Sequence, residues 1–189
     1  MTLAPDRCER CLLRRQFCLC AEVPVVETRT RVVILRHHSE VARSSNTGRL
    51  AHLALPNSEI VDHGGREGPT QLPSLEGAWL VYPIGEPTLV TPAVPPRQLV
   101  FLDATWSQAR RMFRKLPLRG VPILRLPDGP MPAARLRASP EEGHVSTIEA
   151  IARALRLVEG DHVAAPLETL FQTAVARAVA AGRYRSNTP

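Results

Sequence analysis

The chain has 189 residues, 44% of them hydrophobic and 22% charged, which suits one well-buried domain with a small appendage and excludes both two full-sized domains and disorder throughout. A net charge of +6 and a pI near 9.9 give a surface that attracts polyanions, either nucleic acid or an anionic membrane. Lys115 is the sole lysine, so the charge is almost entirely arginine; guanidinium forks suit phosphates and bases, although genome composition produces the same bias.

From the amino terminus, Met1 to Gln16 carries Asp6, Arg7, Glu9, Arg10, Arg14 and Arg15 without an apolar core, so no secretory signal is read there. No apolar run reaches bilayer length, which sets aside a membrane partner and predicts a cytoplasmic protein. All four cysteines fall within thirteen residues as Cys8, Cys11, Cys18 and Cys20, the spacing C-x2-C-x6-C-x-C. Clustered thiols in a reducing compartment read as thiolate ligands, and four of them close a tetrahedral, structural zinc site. Free buried cysteines, or a redox pair of Cys8 and Cys11, are the alternatives. Residues 1–27 are assigned to this knuckle and residues 28–189 to the main domain. The knuckle's arginines Arg7, Arg10, Arg14 and Arg15 either grip a phosphate backbone or form solvated surface.

Next, Arg31 to Arg36 reads Arg-Val-Val-Ile-Leu-Arg, a β-branched run suited to a strand buried on both faces. Comparable runs recur at Glu59 to Val61, Ala78 to Tyr82, Leu99 to Leu102 and Ile123 to Leu126, and five such strands alternating with helices predict an α/β domain. A short helix is predicted from Asn46 to Leu55. After Thr105, the residues Trp106, Ala109, Phe113 and Leu116 share one helical face, with Arg111, Arg114 and Lys115 largely opposite. Helices are also predicted from Thr147 to about Val158, burying Ile148, Ile151, Ala152 and Leu155, and from about Leu167 to Ala181, burying Leu170, Phe171, Ala174 and Ala178. Prolines between Thr88 and Arg97 and between Leu126 and Pro140 mark loops, and Gly182 to Pro189 reads as a frayed tail.

Three polar clusters lie where strands give way to helices, the place where open α/β sheets bind ligands. Asp103-Ala104-Thr105-Trp106 follows one strand and opens the basic helix, and a carboxylate at a strand end is a natural general base. Thr105 with Gln108 also has the spacing of a capping box, and Trp106 can serve as a core anchor. Ser146-Thr147-Ile148-Glu149-Ala150 has capping-box spacing too, while the free N–H groups of a helix start can hold a carboxylate or phosphate. His37-His38-Ser39-Glu40, leading through Arg43 to Asn46-Thr47-Gly48, is a polar loop whose residues are individually ordinary. Tyr82-Pro83 closes a further strand.

Asp-x-Thr-Trp after a strand, Ser-Thr-Ile-Glu-Ala opening a helix, His-x-x-Glu with Asn-Thr-Gly, and the cysteine knuckle together resemble the DTW-domain family of tRNA-uridine aminocarboxypropyltransferases, over about Cys8 to Leu157. The resemblance implies a knotted, mostly parallel α/β sheet flanked by helices, like that of SPOUT-type RNA methyltransferases. It also implies S-adenosylmethionine as donor and tRNA as acceptor. His38 stands where proline is usual, and Ile84 follows Tyr82-Pro83 where serine is common.

On this basis Tyr82, Pro83, Asp103, Thr105, Trp106, Ser146, Thr147 and Glu149 are expected to hold the donor, with Asp103 as the base that takes the proton from uridine N3. His37, Glu40, Arg43, Asn46, Arg110, Arg111, Arg114 and Lys115 are expected to contact the RNA. A methyltransferase of similar fold and a zinc-pinned RNA-binding protein without catalysis are the rival readings. The oligomeric state is not fixed by the sequence.

Overall fold

The computed structural model describes residues 5–65, 68–128 and 145–181. The sheet strands are β1 (Arg31–His37), β2 (Ser58–His63), β3 (Ala78–Val81), β4 (Gln98–Asp103) and β5 (Ile123–Leu124), in the spatial order β2-β1-β4-β3-β5. All four pairings are parallel, as the apolar runs without strict alternation require. The helices are α1 (Thr47–Ala54), α2 (Trp106–Lys115), α3 (Thr147–Val158) and α4 (Asp161–Ala180).

Alternation along the two central strands divides the core into two layers. Val32 and Ile34 of β1, with Leu99 and Phe101 of β4, face α1, α3 and α4. Val33, Leu35 and Val100 face the other way, against Met112 and Leu116 of α2 and its following turn. Each fully buried aliphatic side chain contributes roughly 1.5–3 kcal/mol, and β1 supplies four of them, Val32 to Leu35.

The expected α/β class and all five strands are present, with differences in boundaries and in burial. The last strand ends at Leu124, two residues short of Leu126, and the chain continues to one wall of the site. On α2, Met112 is buried, whereas Trp106 and Phe113 are half-buried and turn toward cavities at its edge. Helix α4 begins at Asp161 and carries Pro166 inside it; the proline removes one backbone donor near the start without ending the helix. Gly160, at φ 112°, makes the sharp turn from α3 into α4 that a residue with a Cβ would resist. Ala178, expected to be buried, is half-buried near the end of α4. The expected loop beyond Asp128 and the tail from Gly182 lie outside the described residues. Among the described residues, no helix is long and apolar enough to cross a membrane.

The cysteine knuckle is a tight hairpin in which the Cys8 N–H donates to the Leu13 carbonyl and the Leu12 N–H to the Cys8 carbonyl. Leu12 takes a left-handed conformation at φ 59°, which costs a leucine roughly 1–2 kcal/mol. Cys11, Leu13, Leu19 and Val26 share one hydrophobic cluster with Leu170, Phe171 and Ala174 of α4. Arg177 of α4 donates to the Cys18 carbonyl and pairs with Glu22. The knuckle is thus packed onto the last helix.

Candidate active site at the carboxyl ends of the strands

Asp103, the last residue of β4, draws three separate sequence motifs together. Its carboxylate accepts from the Asn46 amide at 2.5 Å on one oxygen and from the Thr147 hydroxyl at 2.6 Å on the other. Asn46 caps α1, since its side-chain oxygen accepts the Arg49 N–H at 2.8 Å, and this fixes the amide with its NH2 toward Asp103. Gly48 supplies the clearance, because a Cβ there would lie 2.8 Å from Asp103 Oδ2. Thr47 in turn accepts from the Ile148 N–H at 3.4 Å. Burial pushes the Asp103 carboxyl above its ordinary range, and the donors from Thr147 and Asn46 oppose that shift.

Above this junction is a cavity of about 450 Å³, a common size for small-molecule sites. Its walls are the ends of β3 and β4 with the turns after them, the chain from Arg125 to Asp128, and one face of α3. That face is Thr147, Ala150 and Arg153, at the spacing of three that keeps residues together on a helix. The lining is largely apolar, with Arg125, Arg153, Asp128 and Thr147 as its polar points.

Of the residues expected to hold the donor, Tyr82, Pro83, Trp106 and Thr147 line the cavity. The others are placed differently. Asp103 is only 4% exposed and lies outside the cavity lining, with one hydrogen bond on each carboxylate oxygen. The Thr105 N–H and hydroxyl donate to Gln108 Oε1 at 3.0 and 2.8 Å, and the Ser146 N–H and hydroxyl donate to Glu149 Oε2 at 2.8 and 2.6 Å. Those side chains start their helices and thereby aim Trp106 and Thr147. Arg125, Asp128 and Arg153 had no motif around them; the repeat of three from Thr147 through Ala150 was the one signal for Arg153.

A second, open groove adjoins the cavity along α2, where Tyr82, Pro83 and Trp106 line both spaces. Tyr82 stacks on Phe113 with ring centroids 4.5 Å apart and planes 7° from parallel. Arg110, Arg111 and Arg114 line this groove and Lys115 follows on the same helix; all four are exposed. Gln108 donates to the Ser39 hydroxyl at 3.1 Å and so ties the His37–Glu40 loop to α2. His37 lies beside His38 and His63, and burial holds the His37 imidazole below its ordinary pKa. Arg43 is exposed, as an RNA contact requires. Glu40 and Asn46, expected among the RNA contacts, are 1% and 2% exposed and act from inside the protein.

The four cysteine sulfurs lie within 4.8 Å of one another, with Cys8–Cys20 at 3.6 Å and Cys11–Cys18 at 3.8 Å. Four thiolates at zinc–sulfur bonds of about 2.3 Å stand about 3.8 Å apart in a tetrahedron, so the set fits that ion. All four are free of disulfides. Cys8 is lowered to about 6, first by the Cys11 backbone N–H, while burial raises Cys11 and Cys20.

A parallel α/β sheet with its cavity at the strand ends, one helix start aimed into it and a cationic groove beside it, is the arrangement in which open α/β proteins place their ligand sites. Residues 5–179 match the family model of the DTW domain, a span that takes in the cysteine knuckle, and the chain belongs to that family. It is similar to tRNA-uridine aminocarboxypropyltransferase 2 of Mus musculus, at 29% identity over 80% of this chain and 56% of the relative. It is also similar to the Drosophila melanogaster protein of the same name, at 26% identity over 82% of this chain and 67% of the relative. The chain thus spans a little over half the length of the mouse relative. Among solved structures, the SAM-dependent rRNA:acp-transferase Tsr3 from Vulcanisaeta distributa shares the fold, with a TM-score of 0.52 at 18% identity, covering 83% of this chain and 81% of that one.

Proposed function

We propose that the protein transfers the 3-amino-3-carboxypropyl group from S-adenosylmethionine to N3 of a uridine in tRNA, releasing methylthioadenosine. The observation that carries this reading is the strand-end cavity, apolar in its body with the Arg125–Asp128 pair, Arg153 and Thr147 as its polar points, in a chain of the DTW family. The names of the mouse and fly relatives supply the acceptor and the group transferred.

In this reaction the N3–Cγ bond forms as the sulfur–Cγ bond breaks. The sulfonium keeps the electron pair and becomes a neutral thioether, and the N3 proton passes to solvent or to a carboxylate. Every carbon on the sulfonium is electrophilic, so the enzyme decides the outcome by the carbon it presents. Arg125 and Arg153 are suited to the donor's carboxylate, Thr147 to a hydrogen bond, and the apolar wall from Phe101 to Ala109 to its flat ring. Among the described residues, Asp128 is the one carboxylic acid lining the cavity; it is exposed, pairs with Arg125 at 3.8 Å and stands beside Asp103 as a candidate to take the N3 proton. Asp103 also acts as a positioning residue. It fixes Thr147 and the start of α3 relative to β4.

The knuckle would hold one structural zinc, supported by its sulfur spacing. Four free thiols fit a reducing compartment, the cytoplasm. The knotted SPOUT-like class is the finer fold we assign; what supports it is the all-parallel sheet with helices on both faces.

Donor labelled in the carboxyl group and donor labelled in the methyl group, each incubated with enzyme and unmodified tRNA, test the reading. Carboxyl label should enter the RNA while methyl label leaves in methylthioadenosine. Methyl label alone in the RNA would identify a methyltransferase, and RNA binding without saturable donor binding would leave a non-catalytic protein.

A further inference from the structure

We propose that the groove along α2 is the acceptor subsite, which takes one unpaired pyrimidine nucleotide: its ring against Ile84, Phe113 and Trp106, its flanking phosphates on Arg110, Arg111 and Arg114. The assignment rests on the donor occupying the neighbouring cavity. Tyr82, Pro83 and Trp106 line both spaces, so a molecule in each would meet at this wall, and a direct transfer needs such an arrangement.

The chemistry of the groove separates it from the cavity. Among the described residues, no carboxylate lines it. Arg31, Arg36, Arg97 and Arg156 all have carboxylate partners, whereas Arg110, Arg111, Arg114 and Lys115 have none among the described residues. Three unpaired guanidiniums within five residues of one helix suit consecutive phosphates of a single strand. Between them lies apolar surface: Ile84 is 46% exposed, and Phe113 is held by its stack on Tyr82. A pre-formed aromatic edge flanked by cations is how proteins bind an unstacked base. The reacting N3 lies on the pairing edge, so the nucleotide must leave its helix to react.

Ile84→Glu places a carboxylate on the groove's apolar floor, and the pair Arg110→Glu with Arg114→Glu reverses its charge. Arg119→Glu, exposed beyond the end of α2, is a charge reversal of the same sign outside the groove. Donor affinity is read by calorimetry without RNA, and the KM for unmodified tRNA by label transfer. Both groove variants should raise the KM for tRNA by about tenfold or more with donor affinity within about twofold, and Arg119→Glu should change it by less than about threefold. Unchanged KM in the groove variants, or an equal rise with Arg119→Glu, would overturn the subsite while leaving the donor reading intact. A wild-type protein that binds no donor would remove both. A photoreactive phenylalanine analogue in place of Ile84 provides a second readout that does not depend on the stability of the charged variants. Cross-linking to the uridine that becomes modified supports the subsite, and cross-linking only to remote nucleotides contradicts it.

Discussion

Asp103 and Asn46 form a pair whose polarity is fixed from outside. Asn46 must give its oxygen to the Arg49 N–H, so its NH2 faces Asp103, and Asp103 must accept. Asp103→Asn therefore sets two NH2 groups against each other, or leaves Thr147 without its acceptor, at about 1–3 kcal/mol. The exchange Asn46→Asp with Asp103→Asn restores one donor and one acceptor on each side. Thermal unfolding of the two single variants and the double variant should show the double variant recovering most of the loss; additive losses would contradict the pairing. Gly48→Ala should be at least as damaging as Asp103→Asn, since the added methyl meets the carboxylate itself. Burial also holds the His37, His52 and His63 imidazoles below their ordinary value of 6.5. The unfolded chain then takes up protons first on acidification, so the stability these residues contribute is complete above pH 6.5 and is lost as pH falls toward the folded values. Asp103, with its raised carboxyl, acts in the opposite sense. The comparison of wild type with His52→Gln between pH 8 and 5 isolates the histidine part: the wild type should lose more, and parallel curves would contradict it.

Helix starts place the side chains that matter. Ser146 with Glu149 and Thr105 with Gln108 satisfy the first turns of α3 and α2, so Thr147 and Trp106 enter the cavity from fixed positions. Ser146→Ala should cost about 1 kcal/mol of stability and weaken donor binding through Thr147, as read by unfolding and calorimetry on one preparation. Normal donor affinity in a destabilised protein would show that the cap serves the fold alone. These helix starts were legible in the sequence, because a capping box is a local pattern just ahead of an apolar face. The five strands were legible for a similar reason, since β-branched runs between loops need no partner to be seen. The position of Asp103 was not legible. A strand end looks exposed in one dimension, and its burial depends on Asn46 and Thr147, 57 and 44 residues away. Arg125 and Asp128 escaped notice because their role comes from a short chain segment passing the cavity rim, which carries no periodic pattern.

At the scale of the whole molecule, the knuckle and the sheet domain are joined through α4, where Cys11, Leu13 and Leu19 pack with Leu170 and Phe171. Removal of a zinc ion from the four thiols would release Leu12 from its left-handed turn and loosen that packing. Chelation should therefore lower the Tm by at least about 5 °C, on the order of 2 kcal/mol for a chain of this size, with one zinc per chain by elemental analysis before treatment. An unchanged Tm after complete metal loss would contradict a structural role. The donor's pose is the central point, and a crystal structure of the protein soaked with S-adenosylmethionine measures it directly. The expected result places the donor in the cavity between Trp106 and Thr147, with its carboxypropyl arm, not its methyl group, turned to the wall shared with the α2 groove. A donor bound elsewhere, or one with its methyl carbon facing that wall, would contradict it.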